Sequence, residues 1–181
     1  LKNYFHGIVN GDPLLFSHTR CIYMDDAQHG NIIENNIMVG GQEGYNCNGG
    51  AAMEFSYNII ADNETAWRFS NQRGYETPIV TTSTYGADNI ADLVADIKNK
   101  DLFFEHYPKL KEWVETGKNP RLQTNYRGNV LVNNGKEEIY SQEEMFVDFS
   151  STIRTDDKGI FVDPENHDWR IRSDSWVAEQ Q

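Results

Sequence analysis

One short pattern constrains this chain more than any other: an asparagine set directly before a pair of β-branched or aliphatic residues. It stands in IIENNIMVG (32–40), EFSYNIIAD (54–62) and NYRGNVLVN (125–133), as Asn36-Ile37, Asn58-Ile59 and Asn129-Val130. Asn3 before Tyr4-Phe5 fits as a fourth copy. Asn36 and Asn58 are 22 residues apart, the length of a solenoid coil built from three short strands and their turns. A coil of that size cannot bury its own interior. Neighbouring coils must therefore stack about 4.8 Å apart and set like residues over like. Asparagines repeated at one corner can then hydrogen-bond along the stack as a ladder, which explains the repetition better than a general preference of asparagine for turns.

The pattern predicts an all-β fold, a parallel β-helix, and it can be pushed to a register. A strict 22-residue offset would set Asp25 in line with Cys47 and Phe69 and bury an unpaired carboxylate, at a cost of several kcal/mol. One extra residue in the turn DDAQHG makes the offset 23 on this face. Ile22, Tyr45 and Trp67 then stack inward, followed by Met24, Cys47 and Phe69. Tyr23, Asn46 and Arg68 point outward, with Asp25, Asn48 and Ser70 beside them, so that every outward residue meets water. The same register keeps Cys21 and Cys47 about 10 Å or more apart at roughly 3.3 Å per residue, beyond the ~7 Å a disulfide spans. Two free thiols are expected.

Organisation along the 181 residues reads as coils over 1–78, a helical excursion over 79–122, and final coils with a cap over 123–181, all in one domain. The excursion places Ile90, Leu93, Val94 and Ile97 at helical spacing, with Asp88 set to cap. A second helix follows from Pro108, with Leu110, Trp113 and Val114 on one face and Gly117 as its stop. Together they predict a helical insertion around 86–116 that covers part of the solenoid. The tail GIFVDPENHDWRIRSDSW, punctuated by Asp and Pro, is expected to close the open end of the stack. The chain begins with Leu1 inside what already reads as a repeat, so N-terminal coils of the same protein are expected as its neighbours.

Charge narrows the partners. Sixteen Lys and Arg against 28 Asp and Glu give a net charge of −12, which repels phosphate backbones and anionic membranes. Nucleic acid and membrane are therefore excluded as partners, and no apolar run reaches the ~18 residues of a membrane helix.

CIYMDDAQHGNIIENNI, the NGG after it, NIIADN, HYPKL, NPR, YRGNVLVNN and FVDPENHDWRI together resemble the C-terminal half of bacterial right-handed parallel β-helix proteins of the pectate-lyase-like group. That group includes glycoside hydrolases acting on plant or host polysaccharides. The resemblance implies a secreted, periplasmic or cell-surface protein whose partner is a polysaccharide or oligosaccharide. It is more specific for fold than for chemistry, because this solenoid also hosts lyases, epimerases and non-catalytic binders. The family's Ile-Tyr-x-Asp-Asp strand falls on Ile22 to Asp26. Its His-Gly-Gly followed by Arg-Asp meets Asn48-Gly49-Gly50-Ala51-Ala52 here, so the His, Arg and Asp are absent.

Glycoside hydrolysis needs two carboxylates, about 5–5.5 Å apart for retention or 6.5–9.5 Å for inversion. Asp25 and Asp26 are the catalytic candidates. Neighbours on a regular strand face opposite ways, so Asp26 must swing back through the turn, where two close carboxylates would push their pKa values apart. Glu43 and Glu54 are further partners to weigh, each also readable as a solvated turn or strand-end charge. Tyr23, His29, Asn48 and Arg68 are the substrate-binding candidates: a ring for a sugar face, an orienting imidazole, an amide, and a guanidinium for a sugar carboxylate. Arg73 could serve as Arg68 does, and His6 and His18 could rim the same groove. No cofactor is expected for a hydrolase. A lyase would add Ca²⁺, though no three-acid cluster is visible. Phosphate loops, zinc spacings and Ser-His-Asp motifs are missing from the sequence. Hydrolase, non-catalytic glycan binder and lyase all remain open at this stage.

Overall fold

The computed structural model describes residues 3–6, 19–25, 30–48, 53–70, 94–116, 124–139 and 147–180. Three short strands recur there in fixed order. After β1 (Tyr4–Phe5) come β2 (Arg20–Met24), β3 (Ile32–Glu34) and β4 (Ile37–Val39), then β5 (Glu43–Asn48), β6 (Glu54–Ser56) and β7 (Ile59–Ala61). The next round is β8 (Thr65–Ser70), β9 (Thr124–Arg127) and β10 (Val130–Val132), and the last is β11 (Lys136–Ile139), β12 (Val147–Asp148) and β13 (Ile153–Thr155). Like strands pair with like, always parallel. They form sheet I (β1-β4-β7-β10-β13), sheet II (β2-β5-β8-β11) and sheet III (β3-β6-β9-β12). The fold is predominantly β, a solenoid-like stack of parallel sheets.

Two of the three corners are built alike. Between sheets III and I the chain turns through Asn35, Tyr57 and Gly128, with φ of 57°, 56° and 60°. Between sheets I and II it turns through Gly40, Asp62 and Asn133, with φ of 72°, 57° and 48°. One left-handed residue per corner swings the strand direction, and the next residue is a ladder asparagine, except after Gly40, where Gly41 contributes only its backbone N–H. Gly128 has a second reason to be glycine, since a Cβ there would sit 2.7 Å from the Tyr57 ring of the coil before.

At the first corner the expected asparagine ladder is present in full. The Nδ2 of Asn3 donates to Asn36 Oδ1 at 3.0 Å, that of Asn36 to Asn58 Oδ1 at 3.0 Å, and that of Asn58 to Asn129 Oδ1 at 3.2 Å. The backbone N–H groups of Asn3, Asn36 and Asn58 donate to the same oxygens. Asn36, Asn58 and Asn129 are buried, so each amide satisfies backbone that water cannot reach. The sequence reading missed a second ladder at the other corner. There Asn63 Oδ1 accepts from the Gly41 N–H at 2.8 Å, and Asn63 donates to Asn134 Oδ1 at 3.1 Å.

The register on sheet II is the 23-residue one. Ile22 pairs with Tyr45 and Met24 with Cys47, then Tyr45 with Trp67 and Cys47 with Phe69. These inward residues join Met38, Met53, Phe55, Ile60, Tyr126 and Leu131 in the interior core. Aromatic rings pack along its axis, with Tyr45 4.2 Å from Phe55 and Phe69 4.9 Å from Tyr126. Cys21 and Cys47 are buried free thiols, and burial pushes each up to about 11. One expectation fails on the outward side: Asn46 is 3% exposed rather than open to water. Its amide folds onto the buried carboxylate of Glu43.

Between β8 and β9 the chain carries α1 (Lys100–His106) and α2 (Pro108–Thr116). The helix starting at Pro108 is as expected, with Leu110, Trp113 and Val114 half-buried. The helix expected over Ile90–Ile97 is corrected in its described part: residues 94–96 form a turn, and α1 begins only after Asn99, whose side chain accepts from the Leu102 N–H at 3.2 Å. Asp88, Ile90 and Leu93 lie outside the described residues. No helix among the described residues is long and apolar enough to cross a membrane.

The C-terminal tail forms an antiparallel pair, β14 (Phe161–Asp163) and β15 (Asp168–Ile171), and covers the flank of sheet I, a contact the sequence reading did not foresee. Ile160, Phe161, Trp169 and Val177 pack on Val39, Ile59, Ala61, Val130 and Val132. The physical reason is that sheet I is apolar on both faces: Met38, Ile60 and Leu131 fill the interior while their neighbours need an outer cover.

Candidate functional site

The outer face of sheet II gathers most of the described candidates. Outward positions stack as Tyr23, Asn46, Arg68 and Glu138 in one column, with Asp25 and Asn48 adjacent in the next. A third column comes from a slip in the alternation. Cys21 and Ala66 join the core just before Ile22 and Trp67, and a Cβ on Gly44 would stand 2.7 Å from the Ala66 carbonyl oxygen. With two consecutive inward positions, the residues before them, Arg20 and Glu43, fall on the outer face.

Glu43 is the anchor of this face. It is fully buried, yet Arg20 Nε reaches it at 2.6 Å, Arg68 Nη2 at 3.0 Å and Asn46 Nδ2 at 2.7 Å. A buried carboxylate is tolerable only with such compensation. Arg68 also pairs with Glu138 at 2.8 Å, and Glu138 with Lys136. Glu43 is thus no solvated strand-end charge, and Arg68 is committed to two carboxylates instead of standing open for a sugar.

From that anchor the contacts run outward to Asp25. The Arg20 guanidinium, held by Glu43, lies 4.4 Å over the centroid of the Tyr23 ring. The Tyr23 hydroxyl donates to Asp25 Oδ1 at 2.5 Å, and the Asn48 amide donates to the same oxygen at 2.8 Å. The hydrogen bond to Asp25, helped by burial, raises the Tyr23 phenol above its ordinary value. The phenol therefore stays protonated at neutral pH and serves as the donor. Tyr23 is 41% exposed, so one side of its ring meets solvent beside the oriented carboxylate. Chemically, this is a carboxylate with fixed direction next to an aromatic platform: it can accept a proton or a hydroxyl hydrogen bond from something lying on the ring.

The remaining candidates divide. Asp26, His29, His18 and Arg73 lie outside the described residues. Glu54 is on sheet III, apart from Asp25. There burial raises its carboxyl, but hydrogen bonds from Ser56, Arg127 and Asn125 outweigh it and hold the group below its ordinary value. His6 follows β1 and lines a cleft under the tail, so it does not rim the Asp25 face. Among the described residues no three of His, Cys, Asp or Glu cluster to hold a metal ion.

Glu43 is the residue whose role sequence reasoning missed. Its signal was present: Arg20, Glu43 and Arg68 are spaced by nearly one coil each. Read as a solvated turn or strand-end charge, or as a catalytic partner, Glu43 gave no hint that two arginines and an amide would enclose it. The chain matches no protein-family model, no curated protein and no solved structure, so the meaning of this face rests on its own geometry.

Proposed function

We propose that this chain is part of a right-handed parallel β-helix of the pectate-lyase-like kind, and that the outer face of sheet II recognises and acts on a polysaccharide. The right-handed sense is what parallel crossover connections adopt almost without exception. The function is glycoside hydrolysis by carboxylate acid/base chemistry, in a protein exported to the periplasm, the cell surface or the medium. The observation that carries the reading is Asp25, oriented by Tyr23 and Asn48 beside an exposed aromatic ring. Asp25 is the principal carboxylate and Asp26, next in sequence, its partner. Their separation in the folded protein sets the stereochemical outcome.

A second reading, a non-catalytic glycan binder, has one observation of its own. Glu43 and Glu138, the other carboxylates described on this face, are engaged by Arg20, Arg68 and Lys136. Asn48, standing where the resemblance expects a histidine, would then be a binding amide.

Assaying the parent chain, Asp25→Asn and Asp26→Asn against a panel of polysaccharides separates these readings. Hydrolysis is supported by release of reducing ends that falls roughly 100-fold or more in Asp25→Asn, the contribution expected of a general acid or base. Turnover unchanged in both variants removes the catalytic assignment. Retention of a polysaccharide without turnover favours the binder. A product absorbing in the near ultraviolet, from an unsaturated sugar, identifies a lyase instead.

A further inference from the structure

On the opposite flank of the stack, the tail and sheet I enclose a cleft of about 480 Å³ around His6, Asp62, Lys158, Glu165, His167 and Trp169. That volume falls within the roughly 300–1,000 Å³ typical of small-ligand sites. The cleft is built and tied. Tyr4 stacks on His6 with ring centroids 4.3 Å apart and planes at 15°, and the Tyr4 hydroxyl bonds the His167 carbonyl oxygen at 3.4 Å. Lys158 Nζ lies 2.8 Å from Asp62 Oδ1, which joins the tail to the corner of sheet I. His167 takes φ of 61° at the turn between β14 and β15, a left-handed conformation that the packing of the tail must hold in a non-glycine residue.

We propose that this cleft binds a single neutral sugar unit, at a site separate from the Asp25 face. Three features select that ligand. Lys158 and Asp62 pair with each other, which leaves the exposed Glu165 carboxylate facing the cleft, so an anionic sugar meets a like charge. Donors on Lys158 and the imidazoles sit among acceptors on Asp62 and Glu165, which suits a ligand whose hydroxyl groups do both. The Trp169 indole is packed in the core beneath the tail, and the small part of it that lines the cleft adds an apolar patch for the C–H groups of a sugar ring.

The test is a titration of the full chain with D-glucose, D-galactose and L-fucose in turn, with D-galacturonate and D-glucosamine as charged controls. The readout is the imidazole NMR signals of His6 and His167. At least one neutral sugar should give saturable shifts of both. Glu165→Gln and Lys158→Met should each weaken binding about tenfold, the effect of losing one hydrogen bond to a charged group. Glu165 is exposed, and unchanged urea midpoints in both variants exclude misfolding. The proposal is overturned by no saturable shift with any neutral sugar, by response to a charged control alone, or by shifts undiminished in both variants. Asp25→Asn, tested in parallel, should leave these shifts intact, so failure of this site and failure of the Asp25 assignment are distinguishable.

Discussion

Single side chains carry the stack, and their weight depends on where in the ladder they stand. Asn58, itself buried, accepts from Asn36 and donates to both Asn129 and the Ile33 carbonyl. Asn58→Ala should cost about 3 kcal/mol, because several buried backbone and amide groups lose their partner at once. Asn3 is exposed at the ladder's end, and Asn3→Ala should cost about 1 kcal/mol; urea midpoints report both. The far end is unfinished. Val130 pairs with Ile153, which puts Thr152 on the next rung, and its Oγ1 is buried without a hydrogen-bond partner. Thr152→Asn should extend the ladder and raise stability by about 1 kcal/mol in the same measurement. Glu137 adds a pH dependence. Burial raises its carboxyl, but the Arg154 guanidinium and the Trp67 indole N–H outweigh that and lower it below 4.5. A carboxyl depressed in the folded state stabilises fully above its unfolded value and loses that contribution as pH falls through the folded value. Glu137→Gln should therefore be less stable than the parent at neutral pH, with the gap closing below about pH 4.5.

Among the elements, the strands of sheet I were the most legible and also the most incompletely read. Asn followed by an apolar pair located β4, β7 and β10 and fixed the ladder, because one buried amide per coil leaves a spacing that sequence displays directly. What the reading passed over is that Ile37-Met38-Val39, Ile59-Ile60-Ala61 and Val130-Leu131-Val132 are apolar without alternation. Such runs belong to strands buried on both faces. They announced that something must cover sheet I, though not what, since the tail's place depends on tertiary packing. Trp169→Ala should cost about 3 kcal/mol by opening a cavity against Ile59 and Val130, as a urea titration will measure. Of the candidate site, Tyr23, Asp25 and Asn48 followed from register alone. Glu43 did not, because the slip at Gly44 and Tyr45 breaks the alternation of the strand, and the coil spacing of Arg20, Glu43 and Arg68 gains its meaning only once that slip is known. The helix misplacement has a similar origin: apolar spacing pointed to Ile90–Ile97, while the cap that forms is Asn99.

For the molecule as a whole, the insertion leaves the stack intact. Asn58 and Asn129 bond as adjacent rungs although 71 residues separate them, against 22 between Asn36 and Asn58. Closing the longer stretch costs only about 1 kcal/mol more, since loop entropy grows with the logarithm of length. Replacing residues 71–123 with a turn the length of residues 49–53 should therefore give a folded chain, with both ladders preserved as judged by amide hydrogen exchange at Asn58 and Asn63. The two corners with a left-handed residue and a ladder rung keep their length through the middle of the stack: residues 35–36, 57–58 and 128–129 join sheet III to sheet I, and 40–42, 62–64 and 133–135 join sheet I to sheet II. The third, between sheets II and III, runs from Met24 to Ile32, from Asn48 to Glu54 and from Ser70 to Thr124. Asp25 and Asn48 stand at its edge. A lineage of such chains could gain, lose or exchange whole segments at that one hinge of its design while the other two corners went on dictating the fold. New chemistry could then be tried without renegotiating the architecture.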